Sequence, residues 1–366
     1  MKDVAGHLNI LYGVFYYIFS TIKLIIEDDG MNPAMGLAKV RKLLMEDGIH
    51  VLTGVFLGSV NGAVAPYANE QKVIYLPMAS SPTELAYKKN MPYFFRLNAA
   101  GTQMTHPFGD WAYKKLGVRQ VVTLGIDYTY GYDNVSSFQR TFEEAGGKVI
   151  QKIWVPMNVM DFAPYISQIN RDADGIFVLV TGTNSLRFAK LFGESGLKEK
   201  MKVLGGPPLT AESVLRSMGD EVLGYYGISN WSTALKTPEA ERFTQEYRKR
   251  FGFAPSNFGE SGYCLTMFLL EAIRNANGNV EDKAKFAEVL KRTKVAKSPR
   301  GPIEVDEFNC ALLNAYVRKV ERVGGELQNT VIDTIPMVSQ FWKYNPDVFV
   351  KEPIYSRDYP PCRYCK

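Results

Sequence analysis

The sequence predicts an α/β fold built on parallel sheets, on three observations. Short apolar runs alternate with amphipathic stretches of about ten to fifteen residues, the pattern of βαβ units. The units are too many for one comfortable sheet, and the 366-residue length suits roughly two domains. The second half then changes character, to longer helices and hairpin signals.

Leu11, Val14, Phe15, Ile18 and Phe19 fall at i, i+3, i+4, i+7 and i+8. Leu8–Phe19 is therefore expected to be a helix with a core-facing stripe. Lys2 is cancelled by Asp3, no small-x-small site follows Phe19, and the run is too short to span a bilayer, so a signal peptide or membrane anchor is not the reading. Ile22–Glu27 reads as a strand that turns at Asp28-Asp29-Gly30. Pro33 opens a helix with Met35, Ala38, Val40, Leu43 and Leu44 on its apolar face. His50–Val55 is a strand, Ser59–Glu70 a helix and Lys72–Leu76 a strand. Helices at Gln103–Leu116, Asn134–Ala145, Phe162–Arg171 and Ser185–Ser195 each precede a strand, at Gln120–Leu124, Lys148–Trp154, Gly175–Val180 and Lys202–Leu204. Long helices follow at Pro238–Arg250, Ser261–Ala276 and Asp282–Arg292. Gly301–Asp306 begins a hairpin, Ala311–Val320 runs into the Gly324-Gly325 turn, and the Pro-, Tyr- and Arg-rich tail from 341 to 366 reads as an extended surface segment.

Composition narrows the function classes. An apolar share of 46% with 21 Phe and 21 Tyr disfavours disorder. The excess of 43 basic over 38 acidic residues is slight and forms no long basic block, so nucleic acid is not an expected partner. Enzyme signatures are missing: there is no GxSxG, no P-loop, no HExxH, and no GxGxxG after a strand. Gly58-Ser59-Val60-Asn61-Gly62 has the wrong spacing for a nucleophile elbow. Cys362-Arg-Tyr-Cys365 lacks a second ligand pair for zinc, so a terminal disulfide or two free thiols is expected and no metal or cofactor.

What remains is a set of small polar groups after strands, where open parallel sheets bind ligands. Gly58-Ser59 follows one strand, Met78-Ala79-Ser80-Ser81-Pro82 another, and Thr181-Gly182-Thr183-Asn184 a third. Helix N-termini there offer free N–H groups and the positive end of a dipole to a carboxylate. The plainer reading makes Ser59, Ser81 and Asn184 ordinary N-caps. Asp127-Tyr128-Thr129-Tyr130-Gly131 follows another strand, and Tyr130 would cover an apolar ligand, or simply pack on the surface.

In order along the chain, Ile25-Ile26-Glu27-Asp28-Asp29, Gly54–Pro66, Pro77–Ser81, Phe95-Arg96-Leu97, Asp127–Gly131, Gly146–Val149, Asp161-Phe162, Gly301-Pro302-Ile303 and Asp306 resemble the leucine/isoleucine/valine-binding family of periplasmic receptors for ABC importers. The resemblance implies a two-lobe type I fold, each lobe a doubly wound, mostly parallel sheet, with three crossovers between lobes. Residues 1–100 and 230–308 would form lobe one, and 101–229 and 309–340 lobe two. It implies a small-molecule carboxylate ligand, amino acid or organic acid, contacted by Ser59, Ala79, Ser80 and Ser81 from lobe one. Lobe two would add Tyr130, Thr181, Gly182, Thr183 and Leu209, and Phe258 would form a side wall. It also implies the importer's membrane subunits as partners, a periplasmic location and no catalysis.

Amino-acid binders of the family place an acid after the strand that matches Lys202–Leu204. Here Gly205–Thr210 carries none, and Glu212 is the nearest. An unpaired buried ammonium would be costly, so apolar or aromatic acids and uncharged amides suit the pocket at least as well as α-amino acids. The family also begins with a strand, loop and helix before the Ile22–Glu27 match. Only 21 residues precede Ile22, fewer than a βαβ unit of about 30 needs. Leu8–Phe19 is expected to stand in for the first helix, with the first strand and export signal missing. The rival reading is a ligand-sensing regulatory module of the same fold.

Overall fold

The computed structural model describes residues 22–78, 85 and 91–365. The helix expected at Leu8–Phe19 lies outside these residues, as do Ala79, Ser80 and Ser81. Helix α1 (Pro33–Met45) leads to strand β1 (Val51–Gly54), α2 (Gly58–Glu70) and β2 (Ile74–Pro77). β1 and β2 pair in parallel, and a bridge from Tyr75 to Phe94 widens this small sheet. Gly36 lets α1 press onto α2, since a Cβ there would lie 2.6 Å from a methyl of Val60.

The strand expected at Ile22–Glu27 does not form. Among the described residues no strand pairs with it, and Ile22, Leu24 and Ile26 stay 43%, 56% and 65% exposed, while Glu27 pairs with Lys39 and Lys42 of α1. Its apolar pattern is that of a strand, but a strand needs a neighbouring edge for its backbone donors and acceptors.

The remaining βα units run α3 (Gly101–Lys114), β3 (Gln120–Ile126), α4 (Thr129–Glu144), β4 (Lys148–Val155), α5 (Ala163–Ser167), β5 (Gly175–Leu179), α6 (Thr183–Glu194), β6 (Lys202–Gly205), α7 (Glu212–Leu215) and β7 (Tyr226–Ser229). After α8 (Pro238–Phe251), α9 (Asn257–Asn275), α10 (Lys283–Arg292) and β8 (Glu304–Val305) come the paired β9 (Ala311–Val323) and β10 (Glu326–Val338), and then α11 (Pro346–Phe349). The eight-stranded sheet has the order β10-β9-β7-β6-β5-β3-β4, with β8 also on β9. Strands β3 to β7 are parallel, and β9 enters antiparallel beside β7. The core lies under this sheet, where Phe138 of α4 stacks on Phe177 of β5 at 4.2 Å. Each such ring contributes roughly 1.5–3 kcal/mol by burial.

Two further expectations shift. The helix expected over Phe162–Arg171 is the single turn of α5, because Asn170 turns the chain by accepting from the Asp172 amide at 2.9 Å. The tail is not an extended surface segment. Phe341, Phe349 and Tyr355 are buried together with Phe308 against α3 and α4. Their spacing follows neither a helix nor a strand period, which hides a buried cluster inside a Pro-rich segment.

Two chain passages tie the sheets together. Arg96 and Cys310 form a parallel bridge. Beside it Arg300 donates to the Leu97 carbonyl at 3.0 Å and grips Glu260 with two bonds, at 2.5 and 2.7 Å. Ser261 adds a contact to Arg300, and the Cys264 thiol donates to Glu260. Both charges are fully buried and hydrogen-bonded, the only condition in which such a pair is tolerable.

Candidate functional site

β1 ends in two successive left-handed residues, Gly54 at φ 104° and Val55 at φ 63°. A β-branched residue rarely takes that conformation, and strain of this kind gathers at ligand sites. The kink leads into Phe56, Leu57 and the start of α2. Phe56 is 53% exposed and meets Phe258, 41% exposed, edge to face at 5.3 Å. Phe258 sits in the first turn of α9, and Met78, at the end of β2, reaches the same helix at Gly262. Asn98 ties this corner to the first passage by donating to the carbonyls of Pro77 and Met78.

The helices differ in how they start. α1, α8, α9 and α10 are capped by the side chains of Asn32, Thr237, Ser256 and Asp282. α2, α4 and α6 start instead on Leu57, Tyr128 and Gly182, and none of these supplies a side-chain bond. Ser59 and Asn184 are thus not N-caps. Ser59 stands one residue into α2, exposed, and Asn184 is spent on the Met157 carbonyl and Arg187. Three of the six helices without a side-chain cap bond, α2, α4 and α6, begin at the carboxyl ends of parallel strands, β1, β3 and β5. In α2 and α4 the first N–H groups remain as donors for something else, whereas in α6 the Asn184 and Ser185 amides already donate to the Thr181 and Gly182 carbonyls at 3.2 and 3.0 Å.

The turn after β3 explains its own sequence. A Cβ on Gly131 would stand 1.9 Å from the Ile126 carbonyl oxygen, so only glycine lets α4 begin this close to its strand. That approach places the half-buried Tyr130 at the sheet end, where burial raises its phenol pKa. Asp127 accepts from the Tyr132 hydroxyl at 2.5 Å and from Arg357 at 2.6 Å. Gly182 and Thr183 are exposed beside the half-buried Thr181 at the end of β5.

A family model described as periplasmic binding protein matches residues 12–324. The chain belongs to that family. Among curated periplasmic binding relatives, Leu/Ile/Val-binding protein homolog 6 of Brucella melitensis is 30% identical over 86% of this chain and 81% of its own. Among solved structures, an ABC transporter substrate-binding protein from Sphaerobacter thermophilus superposes at a TM-score of 0.83 with 28% identity, covering 87% of this chain and 88% of that one. A solute-binding protein of Rhodopseudomonas palustris BisB5, in complex with 3,4-dihydroxybenzoic acid, reaches 0.80 with 31% identity and 88% of each chain. The fold of this periplasmic binding protein is the two-lobe type I fold.

The structure brings the expected site residues to the strand ends in part. Ser59 and Phe258 lie at the end of the small sheet, and Tyr130, Thr181, Gly182 and Thr183 at the end of the large one. Leu209 does not project from it: the side chain is fully buried against Gly205 and fixes the loop after β6. Ala79, Ser80 and Ser81 belong to the residues not described. Phe56 was missed, because a lone Phe after a strand carries no signal until its partner Phe258, about two hundred positions on, is known. Glu212 accepts through Oε1 from Arg318 and Asn329, each at 3.1 Å, all three buried, while its Oε2 is buried without a hydrogen bond among the described residues. Two cavities of about 670 and 1060 Å³ lie along α7–α8 and α8–α9; Glu212 lines the first, and none of the expected ligand contacts lines either. Among the described residues no cluster of His, Cys, Asp or Glu could hold a metal ion.

Proposed function

We propose that this chain is the solute receptor of an ABC importer. It closes two lobes, 1–100 with 230–308 and 101–229 with 309–340, over a small apolar or aromatic carboxylate. The observation that carries the ligand class is the state of Glu212. An α-amino acid needs a carboxylate for its ammonium, and the charge of the one acid near the loop after β6 is already balanced by the buried Arg318, which its Oε1 binds. The open N-termini of α2 and α4 supply donors for the ligand's carboxylate. Phe56, Phe258 and Tyr130 supply aromatic walls for its body. Three related binding proteins of Rhodopseudomonas palustris, 25–31% identical, were solved with 3,4-dihydroxybenzoic acid, p-hydroxybenzoic acid and 4-hydroxybenzoate, which supports the same class here.

The mechanism requires no bond chemistry. Ligand binds one lobe, the hinges close, and the second lobe covers it, creating the surface that membrane subunits recognise. The Cys362–Cys365 disulfide agrees with an oxidising compartment such as the periplasm.

Thermal-shift screening against benzoates, phenyl-substituted and fatty acids, and branched-chain amino acids tests this reading. The expected result is stabilisation by aromatic acids above that by leucine. Tight leucine binding that collapses in Glu212→Gln would sink the ligand class, and turnover of any hit would overturn the receptor role. Glu212→Gln is the gentler variant, since its amide oxygen can still accept from Arg318 and Asn329 where Ala would leave a void.

A further inference from the structure

Nothing in the receptor mechanism uses residues 341–365, yet they are bound along one helix of the cleft. Glu352 pairs with Arg140 of α4. The Ser356 and Pro361 carbonyls accept from Ser136 and Gln139 of α4 at 3.4 and 3.0 Å. The Pro360 carbonyl accepts from Lys152 of β4 at 2.9 Å. The chain end then folds back through Cys362–Cys365, with the Cys362 sulfur 3.3 Å from the Val149 carbonyl and Tyr364 under the Lys148 ammonium at 5.7 Å. This strap explains why Ser136 and Gln139, which would face water on a plain surface helix, are fully buried.

Between its anchors the strap sends Arg357 to the start of α4. The guanidinium donates to one oxygen of Asp127 at 2.6 Å, while the Tyr132 hydroxyl donates to the other at 2.5 Å. Asp127 directly precedes Tyr128, the residue that caps α4 without a side-chain bond. A carboxylate at that place has an obvious alternative partner, the free N–H groups of the first turn, because an acidic side chain at a helix N-terminus satisfies both the donors and the dipole. It would then occupy the donors that a ligand carboxylate needs.

We propose that the C-terminal strap is a working part of the ligand cleft, in which Arg357 holds Asp127 off the open N-terminus of α4 and keeps those donors free. Arg357 is a positioning residue in this scheme: it touches no ligand. The proposal rests on the carboxylate-receptor reading for its consequence but not for its geometry.

The test uses the full chain with Arg357→Gln, Arg357→Lys, and Arg357→Gln combined with Asp127→Ala. Binding of 4-hydroxybenzoate is read by calorimetry, and amide exchange at Thr129–Gly131 by nuclear magnetic resonance. Arg357→Gln is expected to weaken binding at least fivefold and to slow exchange at those amides at least fivefold, as Asp127 turns onto them. Removing Asp127 as well restores both to within twofold of the parent, and Arg357→Lys, which keeps the cation, stays within threefold. A merely structural strap would give no rescue by Asp127→Ala, and that result overturns the proposal. So does Arg357→Gln leaving both readouts unchanged. If 4-hydroxybenzoate and other aromatic acids fail to bind the parent chain, the ligand class is wrong, and the exchange at Thr129–Gly131 alone decides the role of Arg357.

Discussion

Single side chains divide here into those that bind and those that hold. Ser59 is exposed in the first turn of α2 and makes no capping bond, so Ser59→Ala should change stability by less than about 0.5 kcal/mol. A hydrogen bond to a charged ligand group contributes about 1.5–3 kcal/mol, so the same variant should bind the best carboxylate roughly ten- to a hundredfold more weakly. Unfolding curves and calorimetry on one preparation check both halves. His106 is a holding residue. It is fully buried, with Nε2 2.9 Å from the Tyr355 hydroxyl, and burial, with help from Arg140 and Lys343, puts its pKa well below the ordinary 6.5. The unfolded chain takes up a proton near pH 6.5 while the folded chain does not. Stability from this group is therefore complete above pH 6.5 and falls by about 1.4 kcal/mol per pH unit below it, until the folded pKa is reached. Urea midpoints at pH 7.5, 6 and 5 should show that slope in the parent and lose it in His106→Gln. A difference between the two that does not vary with pH would contradict it.

Elements were legible where their pattern was long and locally satisfied. The helices from Pro33, Pro238 and Asp282 start where a capping side chain says they should, and β3 to β6 follow their apolar runs. Legibility failed where a distant partner decides the outcome. Ile22–Glu27 has the composition of a strand but meets no edge among the described residues. β7, four residues long, was not seen, because it is secured by β6 and β9 on either side and not by its own sequence. The site failed in the same manner: Ser59 and Asn184 suggested caps by residue type, whereas Leu57 and Gly182 take those positions. The Asp127–Gly131 turn was readable as a motif, but its reason is the contact between Gly131 and Ile126. Gly131→Ala should cost about 1–3 kcal/mol by overpacking and push Tyr130 away from the cleft. Reduced ligand affinity beyond the loss in melting temperature, with the backbone shift confined to 126–132 in an amide spectrum, is the expected observation. An unperturbed turn would refute the steric account.

The molecule as a whole is organised around its passages between sheets. In the proposed division, Arg216 over the ring of Phe253 at 4.8 Å and Arg248 with Glu326 at 3.6 Å link residues of the two lobes outside the hinges. Nearer the passages Trp231 and Phe243 pack with Tyr316 in a buried cluster, so a movement of the lobes would turn about that contact. Saturating ligand should shrink the radius of gyration measured by small-angle scattering. Full occupancy without contraction would exclude closure as the binding step. The bridge between Arg96 and Cys310 has a consequence of another kind. The small sheet is completed beside residue 310, and the large sheet is split until β9, from Ala311, lies against β7. Neither sheet can be finished on the ribosome before most of the chain has been made, since contacts so distant in sequence form late and slowly. Until then the strand edges of both sheets stay unpaired and open to any other chain that meets them.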